Sequence, residues 1–368
     1  MNPSSLESEM NETDPLVSED QSAFPFMGEV PIMGPRCRVG VIGATGAVGS
    51  TLLKILRERV FPVGEIRVFA SPASRGNWIE TPFGSLMVEV LSRRRPPDLD
   101  LAFMAAGRDT ARMWGWKLAR RGTVVIDKSS YFRDKDYAPL VVPEVNADDL
   151  ESSRGIIANP NCTTIPLVLA LAPLHQHYGL RHLTAVSFQS VSGAGRRGLA
   201  ALEAEHADED AAPSAFPHRI AGNVIPWIGG RAGRRSEEEL KMVLETRRIL
   251  KAPRLSIQTT CVRVPTRIGH AIAVHAEFRR RIPLEEARRL LADAPGVKLR
   301  DKPSEHQYPT PLEAAGQDIT LVGRVRRDRG PNCLAFFLAA DNLRKGAALN
   351  AVQIAETMLL RGLIPHSL

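Results

Sequence analysis

One run of residues narrows the possible folds more than any other. Arg38-Val39-Gly40-Val41-Ile42 reads as a buried strand, Gly43-Ala44-Thr45-Gly46-Ala47-Val48-Gly49 follows at once, and residues 50–59 have a helical pattern. Strand, glycine turn and helix in immediate succession begin a βαβ unit, and so a parallel sheet with helices on both faces. Glycines let backbone N–H groups approach a pyrophosphate closely, and the helix N-terminus receives its charge. Gly43, Thr45, Gly46, Ala47 and Val48 are therefore candidate cofactor contacts. Glycines also serve ordinary turns, and it is the flanking strand and helix that favour a nucleotide.

An NAD site would place an acid against the ribose hydroxyls roughly 20 residues further on. Here the second strand, 66–69, ends in Ala70-Ser71-Pro72-Ala73-Ser74-Arg75-Gly76. Ser71, Ser74 and Arg75 favour the 2′-phosphate of NADP, with a solvated loop arginine as the plainer alternative. Further strands at 86–91, 101–104 and 123–126, with a helix at 109–121, continue a doubly wound, mostly parallel sheet of Rossmann type. After residue 162 the rhythm changes to long β segments at 183–191, 255–264, 270–278, 319–325 and 333–340. These predict a second, α+β domain with a mainly antiparallel sheet. A last amphipathic helix, 342–361, is expected to pack back on the first domain.

The second focus is Asn159-Pro160-Asn161-Cys162-Thr163-Thr164. Pro160 forbids helix before it, Asn161 can cap, and 163–178 reads as an apolar helix interrupted by Pro166 and Pro173. A thiol in that first turn meets free N–H groups and the helix dipole, which favour the nucleophilic thiolate. The same donors suit an oxyanion on a carbonyl attacked by sulfur. The alternative is a small core residue, since free cysteine is among the most buried types.

Composition removes several classes. The longest apolar runs, such as 165–174, are short and proline-broken, so no membrane segment is expected. Cys37, Cys162, Cys261 and Cys333 lie far apart without metal-ligand spacing, which predicts no metal, no disulfide framework and a reducing cytoplasm. The net charge is +7, yet residues 1–35 hold seven acids and no Lys or Arg, so the rest carries +14. That tail reads as disordered and acidic, outside the fold. The basic body lacks aromatics interleaved with its arginine clusters, Arg93 to Arg95 and Arg279 to Arg281, which argues against nucleic acid and for small anionic partners.

Taken in order, Val41 to Gly49, Ser129-Ser130-Tyr131-Phe132-Arg133, Val142-Pro143-Glu144-Val145-Asn146, Asn159-Pro160-Asn161-Cys162 and Gln189-Ser190-Val191-Ser192-Gly193-Ala194-Gly195 resemble aspartate-semialdehyde dehydrogenase. Glu238-Glu239-Leu240-Lys241, Cys261-Val262-Arg263-Val264-Pro265 through His270, and Asp341-Asn342-Leu343-Arg344-Lys345-Gly346-Ala347-Ala348 are similar to the same family, so that the resemblance covers 37–365. It implies reduction of L-aspartyl 4-phosphate by NADPH to L-aspartate 4-semialdehyde, with phosphate released, in aspartate-family amino-acid and diaminopimelate biosynthesis. It also implies a second domain of glyceraldehyde-3-phosphate-dehydrogenase type and a homodimer or tetramer. The expected division is an acidic tail, 1–35, an NADP-binding domain, 36–161, completed by 342–368, and a catalytic and dimerisation domain, 162–341.

The resemblance assigns Cys162 as nucleophile, Gln189 as the amide orienting substrate and intermediate, and His270 as acid/base. It gives Arg263 to the substrate α-carboxylate, Arg133 and Lys241 to the phosphate, with Asn161 also near it, and Glu238 to the substrate amine. Ser192, Gly193 and Asn350 fall on cofactor contacts. Read without the family, Gln189 is an ordinary strand amide, His270 a core histidine, and Glu238 with Lys241 a surface ion pair. The chain departs from the family where Ala73-Ser74 precede Arg75, where the segment between Gln189 and Glu238 is short, where Gly222 precedes Asn223, and in its acidic tail. The competing readings are a sister acyl-phosphate reductase such as N-acetyl-γ-glutamyl-phosphate reductase, from which Glu238, Lys241 and Arg263 together discriminate, and a silent paralogue acting as a binding protein, which the presence of Cys162, Gln189 and His270 disfavours.

Overall fold

The computed structural model describes residues 36–92, 94, 96–208 and 215–364; the acidic tail lies outside the described residues, as do Arg93 and Arg95. The chain opens with β1 (Cys37–Ile42), α1 (Ala47–Glu58) and β2 (Val63–Phe69). A hairpin of β3 (Trp78–Thr81) and β4 (Gly84–Met87) precedes β5 (Leu101–Met104), α2 (Arg108–Ala119), β6 (Val124–Asp127), α3 (Pro143–Asn146) and β7 (Ile156–Ala158). The five-stranded sheet has the order β2-β1-β5-β6-β7 and every pairing in it is parallel. Strand order reverses between β1 and β5, and ligands of open α/β sheets bind in the crevice at such a switch point.

The glycine turn sits at that crevice. Gly43 has φ +90°, and a Cβ on it would come within 2.7 Å of the Ala105 carbonyl oxygen at the end of β5. The helix starts at Ala47, three residues earlier than its pattern suggested, so Ala47 and Val48 lie in its first turn with N–H groups that have no partner in the preceding turn. The expected strand at 86–91 is a correction: Gly84–Met87 pairs with Trp78–Thr81, and Glu89 alone bridges to Phe69. Its mostly exposed side chains could not face a buried sheet on both sides.

The second half contains α4 (Thr164–Tyr178), β8 (Leu180–Gln189), α5 (Arg196–Ala207), the short β9 (Arg231–Ala232) and β10 (Arg235–Ser236), α6 (Glu237–Ile249), β11 (Ser256–Arg263) and β12 (His270–Phe278). It continues through α7 (Leu284–Ala292), β13 (Val297–Leu299), α8 (Pro311–Ala314), β14 (Thr320–Arg327) and β15 (Cys333–Ala340). Its six-stranded sheet runs β11-β8-β12-β15-β14-β13. The three central pairings are antiparallel, while β11 with β8 and β13 with β14 are parallel, so the sheet is mixed. One face packs Leu183, Ile272, Val274, Phe336 and Leu338 into a core with residues of α4, α6 and α7.

A π-helical turn, Arg344–Ala348, leads into α9 (Leu349–Leu360). This helix was expected to be amphipathic, but Leu349 to Met358 are all buried. It joins the cluster formed by β1 and α1, around Val39, Leu52 and Ile55.

Candidate active site

Three neighbouring strands end at one place. Gln189 closes β8, Arg263 closes β11 and is paired with it, and His270 opens the antiparallel β12. All three side chains are at most 6% exposed. Gln189 Nε2 donates to Ser187 Oγ at 3.1 Å. Arg263 Nη1 donates to the Ser190 carbonyl at 2.7 Å, and its guanidinium lies over the Phe216 ring. Gly193 closes this group from above, since a Cβ there would sit 2.7 Å from Arg263 Nη1 and 3.3 Å from His270 Nε2.

Cys162 approaches from the first sheet. β7 pairs with β6, and the Asn159 N–H donates to the Asp127 carbonyl at 2.8 Å, bringing the cysteine loop beside the β6 exit. Asn161 Oδ1 accepts the Thr163 N–H at 2.9 Å, in the turn before the helix, whose N-cap is Thr163 and not Asn161, and it stands 3.7 Å from Cys162 Sγ. The helix begins only at Thr164, so Cys162 precedes it. The expectation of a dipole-favoured thiolate is corrected here: burial, then the Glu238 charge, pushes the thiol up to about 11, against the opposing pull of Lys128, Arg133 and Arg263.

The helix α6 supplies a carboxylate on each side of Asn161. Its capping box at Ser236 and Glu239 fixes the first turn. Glu238 Oε1 accepts Asn161 Nδ2 at 3.0 Å and Oε2 accepts Lys241 Nζ at 3.4 Å, so the ion pair read as a surface feature has one buried member. Glu245, two turns along, accepts the Asn161 backbone N–H at 2.6 Å and Arg133 Nη1 at 3.0 Å. Arg133 Nη2 donates to the Lys128 carbonyl at 2.6 Å.

Sequence reasoning missed two of these residues. Glu245 was detectable, because Glu238, Lys241 and Glu245 share one helix face. Lys128 follows an apolar strand directly before Ser129, and burial lowers its pKa beside Cys162, Arg133 and Glu238. Its ammonium makes no hydrogen bond or ion pair among the described residues.

On the nucleotide side, Ser71 and Arg75 are exposed and Ser74 is partly so, and Arg75 lines a cavity of about 620 Å³ with Glu89 and Ser92. Thr45 lines another of about 190 Å³ with Lys54 and Arg196. Ser192 is buried against Asn342. Asn350 is buried, donating to the Val141 carbonyl and to Asn159 Oδ1, and its own Oδ1 has no partner among the described residues. An orphaned acceptor, free helix N–H groups and a glycine cradle fit a nicotinamide dinucleotide. Among the described residues no cluster of acids, histidines and cysteines would hold a metal, and no helix is long and apolar enough to cross a membrane.

A nucleotide-type parallel sheet that delivers a cysteine to the strand ends of a mixed sheet defines an oxidoreductase of the semialdehyde dehydrogenase class. Two family profiles agree: "Semialdehyde dehydrogenase, NAD binding domain" matches residues 38–153 and "Semialdehyde dehydrogenase, dimerisation domain" residues 171–345. The chain belongs to the aspartate-semialdehyde dehydrogenase family. It is 42% identical over 331 residues to the Synechocystis enzyme of that name, covering 88% of this chain and 98% of that one. The Aquifex aeolicus enzyme is 41% identical, covering 89% and 99%. Among solved structures, aspartate semialdehyde dehydrogenase II from Vibrio cholerae superposes with a TM-score of 0.84 at 39% identity, covering 89% of this chain and 99% of that one, and it has also been solved complexed with ASA.

Proposed function

We propose that this enzyme of amino-acid biosynthesis carries out the NADPH-dependent reductive dephosphorylation of L-aspartyl 4-phosphate to L-aspartate 4-semialdehyde, through a thioester on Cys162. The observation that carries the reading is the gathering of Gln189, Arg263 and His270 at three adjacent strand ends, with the Arg263 charge acting on the Cys162 thiol. In this reading Arg263 takes the α-carboxylate, Glu238 the amine, and Arg133, Lys241 and Asn161 the phosphate. Gln189 orients the acyl group and His270 faces its oxygen.

Cys162 attacks the acyl carbon and expels phosphate. The bound nicotinamide supplies hydride. The thiol starts protonated, chiefly because it is buried and further because of the Glu238 charge. Pairing of the substrate ammonium with Glu238 offsets that part of the repulsion. Gly43, Thr45, Gly46, Ala47 and Val48 would hold the pyrophosphate, Ser192, Gly193 and Asn350 the nicotinamide end, and Ser71, Ser74 and Arg75 a 2′-phosphate. The proposed division remains a nucleotide domain over 36–161, completed by 342–368, and a catalytic and dimerisation domain over 162–341. Free cysteines fit a cytoplasmic enzyme, and the match to a dimerisation domain fits a homodimer.

Phosphate-dependent reduction of NADP and of NAD by aspartate semialdehyde tests the reading. Activity with NADP above NAD, abolished in Cys162→Ala, is expected. Undiminished activity in Cys162→Ala would refute the thioester, and turnover only of N-acetylglutamate semialdehyde would reassign the substrate.

A further inference from the structure

The carboxyl ends of the parallel strands hold a cation that the proposed chemistry leaves unused. Lys128 directly follows β6, at the edge of the sheet where open α/β folds bind their ligands. Its N–H donates to the Met104 carbonyl at the end of β5 at 3.0 Å, and its carbonyl accepts Arg133 Nη2 at 2.6 Å. The carbonyl of Asp127, the residue before it, accepts the Asn159 N–H at 2.8 Å, which sets the cysteine loop alongside. The backbone of Lys128 is thus pinned on each side. Its ammonium, on a partly buried side chain, has no hydrogen bond or ion pair among the described residues.

The neighbouring cations are better supplied. Arg133 faces Glu245 and Lys241 faces Glu238, whereas Arg263 and Lys128 have no acid among the described residues. The substrate α-carboxylate answers Arg263. Nothing yet answers Lys128, and a charge held partly out of water without a counter-ion is costly. The charges that act on Lys128 locate the missing anion: Cys162 acts most strongly, then Arg133, then Glu238. Conversely, Lys128 is the strongest of the three cations that act on the Cys162 thiol. Arg133 Nε is also buried without a partner among the described residues. Two open donor groups beside the thiol suit the oxygens of a phosphoryl group.

We propose that Lys128 is a further catalytic residue, whose ammonium, beside Cys162 and Arg133, takes the oxygens of the phosphate that the sulfur displaces. The proposal rests on the thioester reading and deepens it. Sulfur bonds to the acyl carbon as the C–O bond to phosphate breaks, the electron pair of that bond stays on the phosphate oxygen, and the thiol proton passes to His270. Lys128 forms no covalent bond. Its charge meets the charge that gathers on the leaving oxygen, and in the reverse direction it holds inorganic phosphate for attack on the thioester.

Inorganic phosphate is the probe. In the reduction of NADP by aspartate semialdehyde, Lys128→Met should raise the KM for phosphate by about tenfold or more and leave that for aspartate semialdehyde within about twofold, and Lys128→Arg should recover most of the loss. Protection of Cys162 from iodoacetamide should likewise need about tenfold more phosphate in Lys128→Met than in the parent. Lys128→Gln serves the same measurements if the methionine variant does not fold. Unchanged phosphate KM and unchanged protection in the folded variant overturn the proposal. So does slower alkylation with phosphate binding intact, since the ammonium would then serve the thiol alone, and so does an equal rise in both KM values that Lys128→Arg fails to recover, which marks a structural lysine. The protection readout needs no turnover, so an enzyme inactive on aspartate semialdehyde would sink the thioester reading and leave the phosphate result standing on its own.

Discussion

Burial sets the starting state of Cys162, and Glu238 reinforces it through Asn161, which contacts both. Removing that charge lowers the thiol pKa and raises its thiolate fraction. Glu238→Gln should therefore alkylate faster than the parent at pH 8, while its KM for aspartate semialdehyde rises by about tenfold or more from the lost ammonium partner. Gly193 offers a second test. An alanine there would press on Arg263 and His270, so Gly193→Ala should fold normally yet lose substrate affinity, read as a raised KM. The residue types of the site were legible because they are unusual in their settings: an arginine ending a β strand, a cysteine after Asn-Pro-Asn. The ionisation state of Cys162 was not, because it depends on Lys128, Arg133, Arg263 and Glu238, which are distant in sequence and meet only in the fold.

Elements whose patterns are local were read closely. The strands at 101–104, 270–278 and 333–340 occur as expected, since each is an apolar or alternating run bounded by turns. Pairing was not legible, because β11 reaches β8 across α6 and the parallel edges of the second sheet have no signature within a strand. The glycine turn depends on close approach: a Cβ on Gly49 would lie 2.2 Å from the Gly43 carbonyl oxygen. Gly49→Ala should displace α1, lower stability by about 1–3 kcal/mol in urea denaturation and weaken NADP binding measured by calorimetry. The π-helical turn holds a second such dependence. Lys345 is fully buried, with Glu144 Oε1 and Gln353 Oε1 each 2.6 Å from its ammonium. Lys345→Met strands Glu144 without a counter-charge and should cost about 3–5 kcal/mol in the same measurement.

For the molecule as a whole, alkaline pH is the weak side. Burial, aided by Asp100, raises Cys37 to about 11, and burial raises Cys261 to about 12. Both thiols stay protonated in the fold where the unfolded chain would ionise them. Their contribution is complete below about pH 9 and is lost as pH rises toward 11 to 12, with a slope near 3 kcal/mol per unit from these two thiols; Cys162 acts in the same sense, and Lys128 and Lys345, lowered by burial, oppose it. Urea denaturation from pH 8 to 10.5 should follow that fall, and Cys261→Ala should flatten it. The second sheet's other face carries Phe188, Ala271, Phe337 and Ala339, and Phe337 lines a cavity of about 540 Å³ with Tyr308 and Arg324. If this face pairs two copies, sedimentation should give twice the chain mass, and Phe337→Arg should give monomers. The position of α9 has a consequence in time. Val352, Ile354 and Ala355 complete the core that Val39, Val41 and Leu52 begin, although three hundred residues or more separate them in synthesis. On the ribosome, then, β1 waits for α9: a nascent chain cannot close its nucleotide half until α9 has left the exit tunnel, and a protein truncated before residue 349 should be captured by chaperones instead of folding to a smaller, working unit.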